Sequence, residues 1–485
     1  MREAIMLDLI IQGGTVVTPD SVGLMDVGVL DEHIVAIAAP GVLEQTGAGE
    51  TIDATGMIVL PGGIEPHAHI NVPVPDYWAG GDDGVFTQPP EAASRAAAFG
   101  GVTTYVDFAG ALPLTPGAVP PADPIMRQIE TRRNTFSGHS YIDYTFHYIL
   151  AGAVPPSTIG EIGEAIQSGV ASFKIFTTFH ARVPMGHLWE IFQEVGRQGG
   201  IMAVHAEEDD IVTYMEEKLE REGRDHGSNL HLAHNNISED ISFRKVVRLA
   251  QKTETGVYFV HTTAKEGVTA IAEARAAQLP VYGEALHNYL EFTCDDYLKP
   301  EGLAIHTYPA IKFSDDRDAL QQGLVDGPIC TTATDEWTTY KNIKLAGDTI
   351  RTLCGGHNGI ETRMPVTYTK LAATGRIDLQ RFAAITSTNA ARILGMYPQK
   401  GAIAVGSDAD IVIFDPNLKK TITVDELHAD SDYSIWDGFE CEGYPVMTLL
   451  RGKVIVRDGE LLGSPTDGRW LSRKVAPRVV AQTSV

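Results

Sequence analysis

The sequence predicts a parallel (β/α)8 barrel, the TIM-barrel class of α/β fold, carrying a composite β-sandwich formed by both chain ends. Three observations predict it. Apolar β-like runs alternate with helix-like runs through the middle of the 485 residues, as a parallel barrel with insertions requires. Short β-rich runs broken by Gly and Asp stand before and after that region. Metal-capable side chains recur at the ends of the predicted strands, the rim where barrel sites lie. A doubly wound open sheet is the alternative, but no Gly-rich dinucleotide turn follows the first strand.

The elements follow in order. From Asp8 to about Ile58 the runs LIIQGGTVV, DVGVL and HIVAIAA predict a small sheet, and the texture returns in ADIVIF (409–414), PVMTLL (445–450) and KVIV (453–456). Residues 1–57 and 398–464 are therefore expected to form the sandwich, 58–397 the barrel, and 465–485 an arm or frayed tail. The expected barrel strands are Met57–Leu60, Val102–Phe108, Tyr144–Leu150, Ala171–Phe176, Ile201–His205, Val257–His261, Pro280–Gly283 and Ile329–Thr332. Helical periodicity intervenes at Glu91–Phe99, Ile159–Ser168, Leu188–Gln198, Phe243–Gln251 and Val268–Ala277.

Bulk properties exclude several classes. The formal net charge of −25 argues against nucleic acid or an anionic membrane surface as a partner. Cys294, Cys330, Cys354 and Cys441 show no paired spacing, which suits a reducing cytoplasm without disulfides. The N-terminal apolar run is interrupted at Gln12-Gly13-Gly14, so no signal peptide or spanning helix is expected.

The most informative residues are His67 and His69. Side chains at i and i+2 of an extended segment share a face, so two imidazoles at a strand end make half of a metal site. Lys174 lies within the fourth strand, His205 ends the fifth, His261 ends the sixth and Asp335 follows the eighth. Each alone has a plain alternative: a buried histidine bonded to a carbonyl, or a helix-capping aspartate. All six at one rim predict a two-cation centre, His67, His69 and Asp335 holding one ion and His205 and His261 the other. A lysine in an apolar strand is costly to bury as a cation. Its neutral amine reacts with carbon dioxide to give a carbamate, a bidentate anion suited to bridge the two; the alternative is a lysine that snorkels to the rim. Zinc is the default for such ligands, with manganese or iron of similar fit.

These residues, with PGGIEPHAHI, GGVTTYVDF, SFKIF, VHAE, GIETRMP and STNAARILGMYPQKGAIAVGSDADIVIFDP, give a chain that resembles the amidohydrolase superfamily, and within it the dihydropyrimidinase/hydantoinase family, over nearly its whole length. The resemblance implies a homo-oligomer, tetramer or dimer. It implies ring opening of a hydantoin, dihydropyrimidine or cyclic imide by a metal-bridging hydroxide, with Asp335 as the catalytic acid/base. Three positions depart from the family pattern. Its oxyanion-binding Tyr is Phe179, its ring-fixing Ser is Tyr308, and its Asp-His pair after strand eight is Asp335-Glu336. Thr178, His180 and Tyr308 are the possible replacements for the missing phenol. The substrate-contact set expected from loops at the rim is Tyr77, Trp78, Phe179, His180, Tyr308 and Asn358, with Phe86, His187, His234, His287 and His357 as further pocket residues or as packing. The departures keep open a different scissile bond (a lactone, carbamate or linear amide). A non-catalytic assembly protein is a third reading, set against six filled ligand positions.

Overall fold

The computed structural model describes residues 6–82, 84–110 and 123–485. Eight strands form one parallel sheet in chain order: Gly63–Glu65, Val102–Ala109, Asp143–Ile149, Ser172–Phe176, Ile201–His205, Gly256–Phe259, Val281–Leu286 and Ile329–Ala333. The ring closes through the residues that follow its first and last strands. His69 N donates to Glu336 O at 2.8 Å and Glu336 N to His67 O at 3.3 Å. Helices such as Pro90–Phe99, Pro156–Ser168, Met185–Gln198, Asn236–Thr253 and Lys265–Ala276 cover the outside.

Every residue of Ser172–Phe176 and Ile201–His205 is buried, because one strand face meets helices and the other fills the barrel. Met202 and Val204 join the core shared with the helices, whereas Ile201 and Ala203 join an inner cluster with Ile64, Val106, Tyr258 and Tyr282. The same alternation turns His205 inward.

Two sequence expectations change. The run Met57–Leu60 is not the first barrel strand. Ile58–Pro61 lies in a second, mixed sheet of nine strands, parallel to Leu7–Val17 and antiparallel to Ile411–Thr421, and the barrel begins at Gly63. Both strands are buried throughout, so periodicity cannot separate them. A Cβ at Gly62 would stand 2.1 Å from Thr103 Oγ1, so only glycine passes there. The C-terminal segment is a docked arm, not a frayed one. Arg473 is buried and donates to Leu394 O, Thr145 Oγ1 and Ser172 Oγ, and Val475 and Val479 pack against the inner cluster of the barrel.

The nine-stranded sheet draws on both chain ends. Leu9, Ile11, Val27 and Val29 share one core with Ile411, Ile413 and Leu449. All four cysteines are free and buried. Among the described residues no helix is long and apolar enough to cross a membrane.

Candidate metal centre

The turn after Gly63–Glu65 presents His67 and His69 side by side, both buried. Their Nε2 atoms each lie 3.0 Å from the same oxygen, Asp335 Oδ1. Buried His67 Nε2 nonetheless meets no strict hydrogen-bond geometry among the described residues, although Asp335 Oδ1 lies 3.0 Å away. Donors 2.0–2.1 Å from one cation stand about 3.0–3.4 Å apart, so these three atoms fit a shared ion as well as a hydrogen-bonded triad. Together they form a three-residue cluster able to hold a metal ion.

Lys174, His205 and His261 line the same cavity as His69 and Asp335. The His205 and His261 rings are 4.5 Å apart, and those of His67 and His261 5.3 Å. His261 follows its strand with φ of +39° and Asp335 with φ of +51°. Such left-handed residues cost about 1–3 kcal/mol each and gather at functional sites. Lys174 Nζ stands 5.4 and 5.0 Å from the centres of the Phe108 and Phe176 rings, and among the described residues no carboxylate lies within ion-pair distance of it.

Burial is the main electrostatic force here. It lowers Lys174 to about 8 against the pull of Asp335 and Glu284. It lowers His69 to about 4, His205 below its usual value and His261 well below, leaving neutral imidazoles. Burial would lower His67 too, yet Asp335 and Glu284 raise it to about 9; a cation at this nitrogen would have to displace that proton. Burial would raise Asp335, but His67 and His69 hold it well below the carboxylate range.

The second layer of the site was not evident in the sequence. Glu284 accepts from His67 Nδ1 at 2.9 Å, from His261 N at 2.9 Å and from the Tyr258 hydroxyl at 2.5 Å. Glu207 accepts from His205 Nε2 at 2.9 Å. Each carboxylate occupies one ring nitrogen and leaves the other for a cation. The available signal was the one that exposed Lys174: Glu284 is a charged residue inside the apolar strand Val281–Leu286.

The cavity encloses about 560 Å³. Its walls are aromatic, with Tyr77, Trp78, Phe176, Phe179, Tyr308 and Trp337. Trp78 stacks on Tyr308, and Phe179 packs edge-on against His205 and Tyr308. Phe179 adopts φ of +66°, with its N–H and the Thr178 hydroxyl both donating to Asp209 Oδ1. The possible replacements for the missing phenol are engaged elsewhere. Thr178 is bonded to Asp209, the Tyr308 hydroxyl points to Leu353 O at 3.5 Å, and exposed His180 packs on Tyr77.

Other expected contacts fall outside the cavity. Asn358 donates to Tyr433 O at 2.6 Å and borders a separate small cavity with Glu336 and Gly359, so it does not face the ligand cluster. Phe86 is half exposed, and His187 is bonded to Val154 O. His234, His287 and His357 are buried behind the walls. Glu336 accepts from Gly359 N, Ile360 N and Gln88, and burial raises it to about 7.

Comparison with known proteins places this geometry. The model of the amidohydrolase family matches residues 166–455. A D-hydantoinase from Geobacillus stearothermophilus is 31% identical over 484 residues, covering 98% of each chain. A D-phenylhydantoinase from Escherichia coli (strain K12 / DH10B) is 31% identical over 469 residues, covering 96% of this chain and 98% of its own. The crystal structure of a dihydropyrimidinase from Brevibacillus agri NCHU1002 superposes with a TM-score of 0.89 at 30% identity, covering 96% of this chain and 98% of that one.

Proposed function

We propose, from the premise that the chain belongs to the amidohydrolase family with D-hydantoinases and dihydropyrimidinases as its relatives, that it is a metal-dependent hydrolase opening a cyclic amide. The ring would be of the hydantoin, dihydropyrimidine or cyclic imide type. The observation that carries this reading is the approach of His67 Nε2 and His69 Nε2 to one oxygen of Asp335, in a cavity that also receives Lys174, His205 and His261.

In this reading His67, His69 and Asp335 would hold one divalent ion and His205 and His261 a second, and Lys174, once carbamylated, would supply a further anionic ligand. Zinc is the first expectation, manganese or iron the next. When bound, such ions supply a water that is nucleophilic at neutral pH and polarise the amide carbonyl. Lys174 suits its part because burial favours the neutral amine that carbon dioxide requires. Asp335 directs Oδ1 at both imidazoles and keeps Oδ2 for the proton, which it takes from the attacking water and hands to the ring nitrogen as the C–N bond breaks. Trp78, Trp337, Phe179 and Tyr308 exclude bulk water and grip the ring and its substituent. A homotetramer or dimer is the assembly expected of such a hydrolase, and the four free, buried cysteines suit a reducing cytoplasm.

Phe179 favours one further reading: without the phenolic donor, the same site acts on a bond with a better leaving group, such as a lactone or carbamate. A panel of hydantoins, dihydropyrimidines and cyclic imides with small and aromatic substituents, run beside lactones, carbamates and linear amides, separates the two. Turnover of the cyclic amides, lost with the metal on chelation, is the expected result. Turnover of the esters alone would favour the second reading, and no turnover by the metal-loaded protein would refute both.

A further inference from the structure

Behind Glu207 lies a histidine that borders neither the cavity nor the ligand cluster. The Glu207 carboxylate is buried and receives His205 Nε2 on Oε2 at 2.9 Å. His234 Nδ1 donates to the same carboxylate, at 2.9 Å from Oε1 and 3.0 Å from Oε2. His234 is also buried, and its carbonyl receives Lys312 Nζ at 2.9 Å. Its other nitrogen, Nε2, has no hydrogen-bond partner among the described residues and stands 3.8 Å from Glu216 Oε1.

A glutamate's terminal torsion is broad, so one hydrogen bond does not fix its plane. Two imidazoles donating to one carboxylate do fix it. With its plane fixed, Glu207 holds the proton of His205 on Nε2 and leaves Nδ1 for a cation. We propose that His234 is a positioning residue for the cation held by His205 and His261, acting through Glu207 to set the His205 tautomer. This rests on the two-cation reading above. The site's ligands are unchanged by it; what is added is a residue behind them that decides how well the second ion is held.

The test is calorimetric titration of the chelator-stripped full-length protein with zinc or manganese, in buffer containing bicarbonate. The wild type is expected to take up two ions. His234→Leu should bind the first with wild-type affinity and the second about 10–100-fold more weakly. In His234→Asn the amide nitrogen stands where Nδ1 stood and should restore second-site affinity to within about threefold of wild type. Wild-type affinity for both ions in His234→Leu would overturn the proposal. So would equal weakening of both ions, or failure of the asparagine to rescue. Uptake of fewer than two ions by the wild type would instead sink the two-cation reading, and this proposal with it. If His234→Leu does not fold, His234→Gln, whose amide reaches toward the Nε2 position, serves as the loss variant under the same criteria.

Discussion

Stripping the protein of cations and carbon dioxide should leave Lys174 as a free amine whose recapture of CO2 limits the return of metal. Burial holds this amine at about 8. At pH 7 about 9% of it is then neutral, against roughly 0.03% for a lysine at the ordinary value, an advantage of about three-hundredfold. At fixed dissolved CO2, the rate of metal uptake should rise about fivefold from pH 7 to pH 8 and less than twofold from pH 8 to pH 9, as the amine finishes deprotonating. An ordinary lysine would give a rise of about tenfold per unit throughout. The assay is stopped-flow or sampled metal uptake by the stripped protein, with Lys174→Ala as the control expected to retain neither full loading nor activity. Uptake indifferent to CO2 would refute the bridging carbamate. Full turnover in Lys174→Ala would do the same.

Three further expectations follow from neighbouring residues. Phe179→Tyr restores a hydroxyl at the cavity wall and should shift the preference in kcat/KM between cyclic amides and lactones by about 100-fold or more, since one oxyanion donor is worth about 2.7–4 kcal/mol. A fall in Tm with unchanged preference would show that the residue serves packing instead. Glu284→Gln removes the carboxylate beneath His67 and His261 and should weaken metal binding about 10–100-fold, with the fold retained by circular dichroism; unaltered metal affinity would rule out that supporting role. Burial raises Glu336 to about 7, so the folded state keeps a proton that the unfolded chain releases near 4.5, and stability falls as pH rises between those values. Glu336→Gln should therefore gain on the wild type by on the order of 3 kcal/mol between pH 4.5 and 7, read by denaturant unfolding, and parallel pH profiles would contradict it.

The barrel was legible because its signals are local. Period-2 and period-3.6 patterns belong to short stretches of chain, and each strand's own residues show that it is apolar on both faces. The adjacency of His67 and His69 needed only the geometry of an extended backbone, and Lys174 stood out as a charge inside SFKIF. The boundary at Pro61-Gly62 was not legible, since two buried strands in succession read as one. Nor was the docking of the C-terminal arm, where polar and basic residues such as Arg473 find their partners in strands more than three hundred positions earlier.

What the sequence determined alone is therefore the barrel, the sheet built from both ends, and a set of residues able to bind metal. The tertiary structure decided how they are used. Glu284 meets His67 across 217 positions of chain, and a left-handed turn brings His261 onto His205. Asn358 turns away to Tyr433, while Phe179 lies over His205. Contacts of that kind depend on backbone dihedrals and on which distant side chains share a buried space. Neither is written in the spacing of neighbouring residues.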